Sequence, residues 1–150
     1  MPVPVVVEAG IERLDDIHPL WESLNRLHES VTPHFKAIFA KNSFAYRKLY
    51  LEGKHAAGNI RIFFAEDNGN PVGYLVVSLS DQHGEIESLF IKEAYRGNKL
   101  GDSLMRAALN WLDSNGATSK SINVVFGNEA AHPFYAKYGF FPRSTTLYQR

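Results

Sequence analysis

There is no cysteine among the 150 residues of this chain, which excludes disulfides, a cysteine-ligated metal and a thiol nucleophile. Were any acyl group transferred, it could not pass through an enzyme thioester, and direct attack by an acceptor would be the simplest route. Charge of one sign is also missing. Lys plus Arg and Asp plus Glu are both 16, a formal net charge of +0, and no basic footprint stands out that would mark a nucleic-acid binder. No apolar run reaches the roughly 18 residues of a membrane span. The opening Met1-Pro2-Val3-Pro4 lacks the basic and apolar regions of a signal peptide. The expectation is a soluble cytoplasmic protein with neither a nucleic-acid nor a membrane partner.

Metal-ligand spacing is missing too. No His-x-x-x-His occurs, and the Glu-x-x-His pairs Glu52/His55 and Glu129/His132 straddle Gly53 or abut Pro133, which spoils a shared helical face. No metal site is expected. A nucleotide-binding α/β protein is disfavoured as well, because Gly-x-Gly-x-x-Gly does not follow the first strand and no Gly-x-x-x-x-Gly-Lys-Ser/Thr is present.

What the chain does have is the size of one domain, 1–150, and a clear order of periodicities. Val3 to Val7, interrupted by Pro4, suits an edge strand. Leu14, Ile17, Leu20, Trp21, Leu24, Leu27 and Val31 make an apolar stripe for one helix or a broken pair over about 11–30, with Asp15 or Asp16 as cap. A second helix is expected from about Ser43 to Glu52, ending near Gly53. Strand patterns follow at 59–65, 72–79 and 85–91, the first two joined by Asp67-Asn68-Gly69-Asn70, a strong hairpin signal. A helix follows, carrying Leu100, Leu104, Ala107, Ala108, Trp111 and Leu112 at helical spacing. Then come a strand over 121–126, running parallel to 85–91, a helix over 128–138, and a final strand in 140–149. The fold class is therefore α/β (α+β), a single-domain, mixed and mostly antiparallel sheet flanked by helices in the order β-α-α-β-β-β-α-β-α-β.

The stretch 85–112 reads as strand, loop, helix, and its loop carries Arg96, Gly97, Asn98, Lys99, Leu100 and Gly101. The first turn of a helix has about four N–H groups without partners and a partial positive charge, so such an end binds phosphate. Gly97 and Gly101 would let ligand oxygens approach the backbone, and Arg96 and Lys99 add cations.

These residues resemble the acetyl-CoA-binding signature of the GNAT superfamily of N-acetyltransferases: Arg or Gln, two variable residues, Gly, one variable residue, then Gly or Ala. Lys99 stands where that pattern has Gly. A second stretch, Asn128-Glu129-Ala130-Ala131-His132-Pro133-Phe134-Tyr135-Ala136-Lys137-Tyr138-Gly139-Phe140, is similar to the family's Asn, short helix, aromatic pair and Gly-Phe ending. The resemblance follows the element order over nearly the whole chain, although specific motifs lie only in 85–103 and 126–141.

The resemblance implies acetyl-CoA as co-substrate, held by Leu89, Phe90, Ile91, Arg96, Gly97, Asn98, Lys99, Leu100, Gly101, Asp102, Asn128 and Tyr135. It implies that Tyr135 protonates the departing thiolate and that Asn128 caps a helix and reaches the pantetheine arm. Glu87, nine residues before Arg96, matches the acid that takes a proton from the amine, with Glu85 or water as the other candidates. A backbone N–H near Leu89 or Ile91 would polarise the thioester carbonyl. Glu85, Glu87, Leu89 and Ile91 share one parity, so an unbulged strand would put all four on one face. His28 and His34 with Glu29 lie where the family builds its acceptor pocket, although a polar surface role is the reading favoured for them. The acceptor is expected to be a small-molecule or peptide amine, and the assembly could be a homodimer. A CoA-binding module without turnover is the rival, against which Tyr135 and Glu87 both weigh.

Overall fold

The computed structural model describes residues 3–150, so Met1-Pro2 lie outside the described residues. Five strands, β1 (Val5–Ala9), β2 (Asn59–Asp67), β3 (Asn70–Ser80), β4 (His83–Ile91) and β5 (Ser119–Ile122), form one sheet in sequence order. All neighbours are antiparallel except β4 and β5, which run parallel as the connecting helix requires. The β2–β3 turn is built on Asn68 and Gly69, both at positive φ (51° and 79°), the two-residue hairpin conformation that Asn-Gly favours. Pro4 precedes the edge strand, as its missing N–H demands.

The helices divide between the two faces of the sheet, and each face has its own core. On one, α1 (His18–Val31) and α3 (Phe44–Ala57) bury Leu20, Trp21, Phe44 and Leu51 against Ile60, Ile62, Phe64, Tyr74 and Val76. On the other, α4 (Leu100–Ser114) buries Leu100, Leu104, Met105, Ala108 and Leu112 against Phe63, Leu75, Val77 and Ile86. Each fully buried Leu or Ile in these layers is worth roughly 1.5–3 kcal/mol of transfer free energy. The alternating strand pattern assigned both faces, since period 2 sends successive side chains to opposite cores.

Several boundaries differ from the sequence reading. The stretch 11–30 is a broken pair, a 3-10 segment Ile11–Ile17 followed by α1 with Pro19 in its first turn. Neither Asp15 nor Asp16 caps it; their carboxylates pair with Lys48 and Arg13 instead. A short helix, α2 (Lys36–Lys41), forms between the expected two. The next, α3, runs through Gly53 to Ala57, where Gly58 supplies the break. The expected strand at 121–126 stops at Ile122. The expected helix at 128–138 is a 3-10 turn Glu129–Ala131 leading into α5 (His132–Ala136), with Pro133 in its first turn where no N–H is missed. The final strand expected in 140–149 does not form, and Phe141, Leu147 and Tyr148 are exposed. β-Propensity alone does not make a strand without a partner edge.

Candidate active site

The sheet opens between β4 and β5. β5 pairs only with His83–Ile86, so from Glu87 onward β4 lacks a partner on that edge among the described residues. Lys92 donates its amide to Val72 O on β3 at 2.9 Å. Because a strand's polar groups alternate, those of Leu89 and Ile91 face the other way, into the opening. The Ile91 carbonyl accepts from Arg96 Nε at 2.9 Å on that side.

A β-bulge sits at the mouth of this opening. Val76 pairs with Ser88 and Val77 with Ile86, leaving Glu87 as the extra residue. The bulge overturns the expectation that Glu85, Glu87, Leu89 and Ile91 share a face. Glu85 and Glu87 point to the α3 side, where Lys54 meets both, whereas Leu89 and Ile91 pack on the α4 side. Ser88 and Phe90 take the α1/α3 face, Ser88 sharing a 2.6 Å hydrogen bond with the buried Tyr74 hydroxyl.

The Glu87 side chain is 1% exposed. Its Oε2 accepts from Ser78 Oγ at 2.6 Å and lies 3.1 Å from Lys54 Nζ; its Oε1 is 3.7 Å from Arg47 Nη2. Burial works against the charge on Lys54, but the bonds and charges of Glu87 and Glu85 outweigh it and hold the ammonium up to about 12. Burial and the nearby Arg47 push the His28 imidazole below its usual range. His34 stacks on the exposed Phe126. Arg47, Lys54 and Ser78 are neighbours of Glu87 that sequence reasoning missed. The one visible signal was the seven-residue spacing of Arg47 and Lys54, which puts both on one face of α3.

Beyond β4, the loop 92–99 leads into α4. Among the described residues, no backbone or side-chain acceptor takes the amides of 97–102, so the helix end presents a row of unengaged donors. Arg96, Gly97, Asn98 and Lys99 are exposed; Arg96 lies over the Phe90 ring at 5.3 Å, and Asn98 donates to Tyr95 O. Gly97 sits at φ +84° with open space around its α-carbon. Leu100 buries its side chain in the core and leaves only its amide to the loop. Gly101 serves packing, since a Cβ there would come within 3.2 Å of Phe134. Asp102 is engaged by the Tyr138 hydroxyl and by Lys137 Nζ at 2.9 Å; these bonds, the Tyr138 one first, hold its carboxyl below the usual range.

Lys99 occupies the left-handed region, φ 60° and ψ 20°. That conformation explains why the signature has Gly here: a residue with a Cβ pays on the order of 1 kcal/mol for it. Lys99→Gly is expected to leave melting unchanged or raise it by up to about 3 °C. The same change is expected to weaken CoA binding, with a flatter salt dependence, because an ammonium beside the phosphates is lost. Calorimetric titration at low and high salt checks this; tighter binding would mean that the side chain is an obstruction.

Contacts of Phe134 with Gly101 and of Lys137 and Tyr138 with Asp102 press α5 onto the first turn of α4. Tyr135 is therefore beside the same loop, partly buried in the α4-side core with no hydrogen-bond partner for its hydroxyl among the described residues. Burial pushes its phenol up to about 12. The expected cap by Asn128 is not made: its side chain bonds no backbone N–H, and Glu129 Oε1 instead accepts from Gly127 N at 3.0 Å. The Asn128 side-chain amide is thus unspent, while its backbone N–H donates to Val125 O at 2.9 Å.

An opened parallel pair, a bulge at its mouth, unengaged helix-terminal amides and an unbonded tyrosine hydroxyl form one constellation. Residues 21–140 match the sequence profile of the acetyltransferase (GNAT) family. The chain belongs to that family. It is an acetyl-CoA-dependent N-acetyltransferase. A Bacillus subtilis (strain 168) protein provisionally named ribosomal protein bS18-alanine N-acetyltransferase is 29% identical over 81% of this chain and 76% of its own. The PaiA N-acetyltransferase of Thermoplasma acidophilum, solved in complex with coenzyme A, superposes with TM-score 0.74 at 18% identity, covering 97% of this chain and 94% of its own. A GCN5-related N-acetyltransferase from Ralstonia eutropha JMP134 gives TM-score 0.75 at 17% identity, covering 97% of each. Likeness at that identity speaks for the fold of this acetyltransferase. Its cofactor end fits the co-substrate on its own terms: unengaged amides at 97–102, with Arg96 and Lys99 on the exposed loop, suit a pyrophosphate. Among the described residues no cluster of three or more His, Asp or Glu could hold a metal, and no helix is long and apolar enough to cross a membrane.

Proposed function

We propose that this acetyltransferase acetylates the amine of a peptide. The observation that carries this is the α3 face beside Glu87. It presents Tyr46, Leu49 and Tyr50, which are 71%, 69% and 42% exposed, and Tyr50 lies over Arg47 and near Lys54. The two carboxylates there, Glu85 and Glu87, are matched by those two cations. A polyamine or aminoglycoside carries several charges and would call for an acidic cleft, whereas a peptide needs one amine site and an open, apolar surface for the residues that follow. The Bacillus relative's name points the same way. A homodimer completes the proposal, since β5 leaves an outer sheet edge and Phe141, Leu147 and Tyr148 are exposed; the cytoplasm is its proposed location.

In this reading the amides of 97–102 hold the pyrophosphate with Arg96 and Lys99 beside it, and the Asn128 side chain holds the pantetheine arm along the β4 edge, against Leu89, Phe90 and Ile91. The amide of Leu89 or of Ile91 donates to the thioester oxygen as it gains charge. Glu87 receives the amine's proton through water at Oε1, because Ser78 and Lys54 occupy Oε2. Tyr135 donates to the departing sulfur.

Thiol release from acetyl-CoA, measured over a panel of N-terminal peptides, aminoglycosides and polyamines, tests the acceptor. Turnover is expected with peptides; turnover confined to polycations would contradict it. With an N-terminal peptide, Glu87→Gln is expected to lower kcat at pH 7 and to recover partly above about pH 8, where an α-amino group of pKa about 8 supplies its own neutral form. A pH profile parallel to the wild type would remove Glu87 from proton transfer.

A further inference from the structure

Glu87, as the extra residue of the bulge, has a carbonyl that the β3 ladder does not serve. On the β5 side nothing among the described residues pairs with it either. Arg47 meets this need from α3, its Nη2 donating to Glu87 O at 2.7 Å while lying 3.7 Å from Oε1 of the same residue. The guanidinium is itself fixed. It lies over the Tyr50 ring at 4.7 Å and is only 24% exposed. It stands on the second turn of a helix whose first turn is capped by Ser43 Oγ. A charge-assisted bond at this length is among the stronger ones, and an orphaned buried carbonyl is costly, so the contact determines the local backbone.

We propose that Arg47 is a positioning residue for acyl transfer. By holding the carbonyl of the bulged Glu87 it sets the path of β4 through Ser88 into Leu89 and Ile91, and thereby the direction in which their amides face the opening. Tyr74 holds Ser88, the next residue, on the same face of the sheet at 2.6 Å, so the bulge is clamped by one side chain from α3 and one from β3. The carboxylate of Glu87 shares the clamp. Arg47 thus couples the direction of the oxyanion donors to the placement of the proton acceptor, and touches neither acetyl group nor amine itself. The inference rests on acetyl-CoA binding along the β4 edge.

The test uses acetyl-CoA labelled with carbon-13 at the thioester carbonyl, whose stretching frequency falls when amides donate to the oxygen. With the wild-type protein the bound carbonyl is expected to shift to lower frequency. With Arg47→Met the shift is expected to be largely lost at an unchanged Kd for acetyl-CoA, because 97–102 is intact. Arg47→Lys, able to make one bond to Glu87 O, is expected to restore part of it. In turnover with an N-terminal peptide, Arg47→Met should lower kcat by roughly 10²-fold, the scale of a small misplacement of reacting groups, with little change in the KM for acetyl-CoA. An unaltered carbonyl shift in folded Arg47→Met overturns the proposal. If the wild type binds acetyl-CoA without any shift, the amide reading falls and the proposal with it. If it does not bind acetyl-CoA at all, the reading of the cleft itself is wrong. Should Arg47→Met fail to fold, the same comparison is made between wild type and Arg47→Lys, where a full shift and full kcat would equally overturn it.

Discussion

Tyr135→Phe is expected to lower kcat by about 10²–10⁴-fold while acetyl-CoA affinity stays nearly unchanged. The substitution deletes one hydroxyl that has no protein partner among the described residues, so no packing and no internal bond is lost with it. A phenol held at about 12 is in water a weaker acid than a thiol of about 8.5. The site is not water, however, and the burial that disfavours phenolate disfavours thiolate as well. Tyr135 therefore offers the sulfur a hydrogen bond that strengthens as charge develops, which is stabilisation of the transition state in preference to the ground state. Because the phenol keeps its proton up to about pH 12, the defect should be equally deep from about pH 6 to pH 10. That flatness separates it from Glu87→Gln, whose defect shrinks as pH rises. Unchanged kcat in an assay limited by chemistry would return Tyr135 to the role of a packing aromatic beside Phe134.

The largest effect on stability is expected at Gly127. This residue sits at φ +105°, and a Cβ there would lie 2.1 Å from the carbonyl oxygen of Val31 and 2.8 Å from its carbon. Both are backbone atoms in the last turn of α1, so neither yields as a side-chain tip would. Overpacking costs about 1–3 kcal/mol and an unfavourable φ another 1–3, so Gly127→Ala should cost on the order of 3 kcal/mol. In a chain of this size that lowers Tm by roughly 6–12 °C in a thermal melt. A loss of less than about 1 kcal/mol would show that α1 and the loop before Asn128 are not locked together. The contact ties the helix carrying His28 to the loop carrying Asn128.

Much of this arrangement was legible from period and punctuation. The hairpin at Asn68-Gly69 and the parallel return after α4 follow from local chemistry, and so does the helix beginning after a loop of Arg, Gly, Asn and Lys. The bulge at Glu87 was not legible, since Glu85-Ile86-Glu87-Ser88-Leu89 alternates without a break and only the pairing with β3 shows where one residue is left over. Everything that depended on strand parity past that point was therefore misassigned, including the face shared by Glu87 and Leu89. The cap expected at Asn128 did not form, and Gly101 has a packing role as well, for a related reason. A residue type suited to a local role, cap or close approach, was employed otherwise by a neighbour: Glu129 took the Gly127 amide, and Phe134 filled the space beside Gly101. Ser144 to Tyr148 has the composition of a strand, yet pairing is a property of two edges and is absent from one of them.

The central claim is that the opening between β4 and β5, with the helix end at 97–102, holds acetyl-CoA. The most direct measurement is the melting temperature of the purified protein across a titration of acetyl-CoA and CoA, beside Gly97→Asp. At about 100 times its Kd, acetyl-CoA should add roughly 2.7 kcal/mol to the wild type. It should add nothing to Gly97→Asp, whose carboxylate would meet phosphate oxygens at the open face of the loop. A wild-type melt that ignores millimolar acetyl-CoA and CoA would contradict the account.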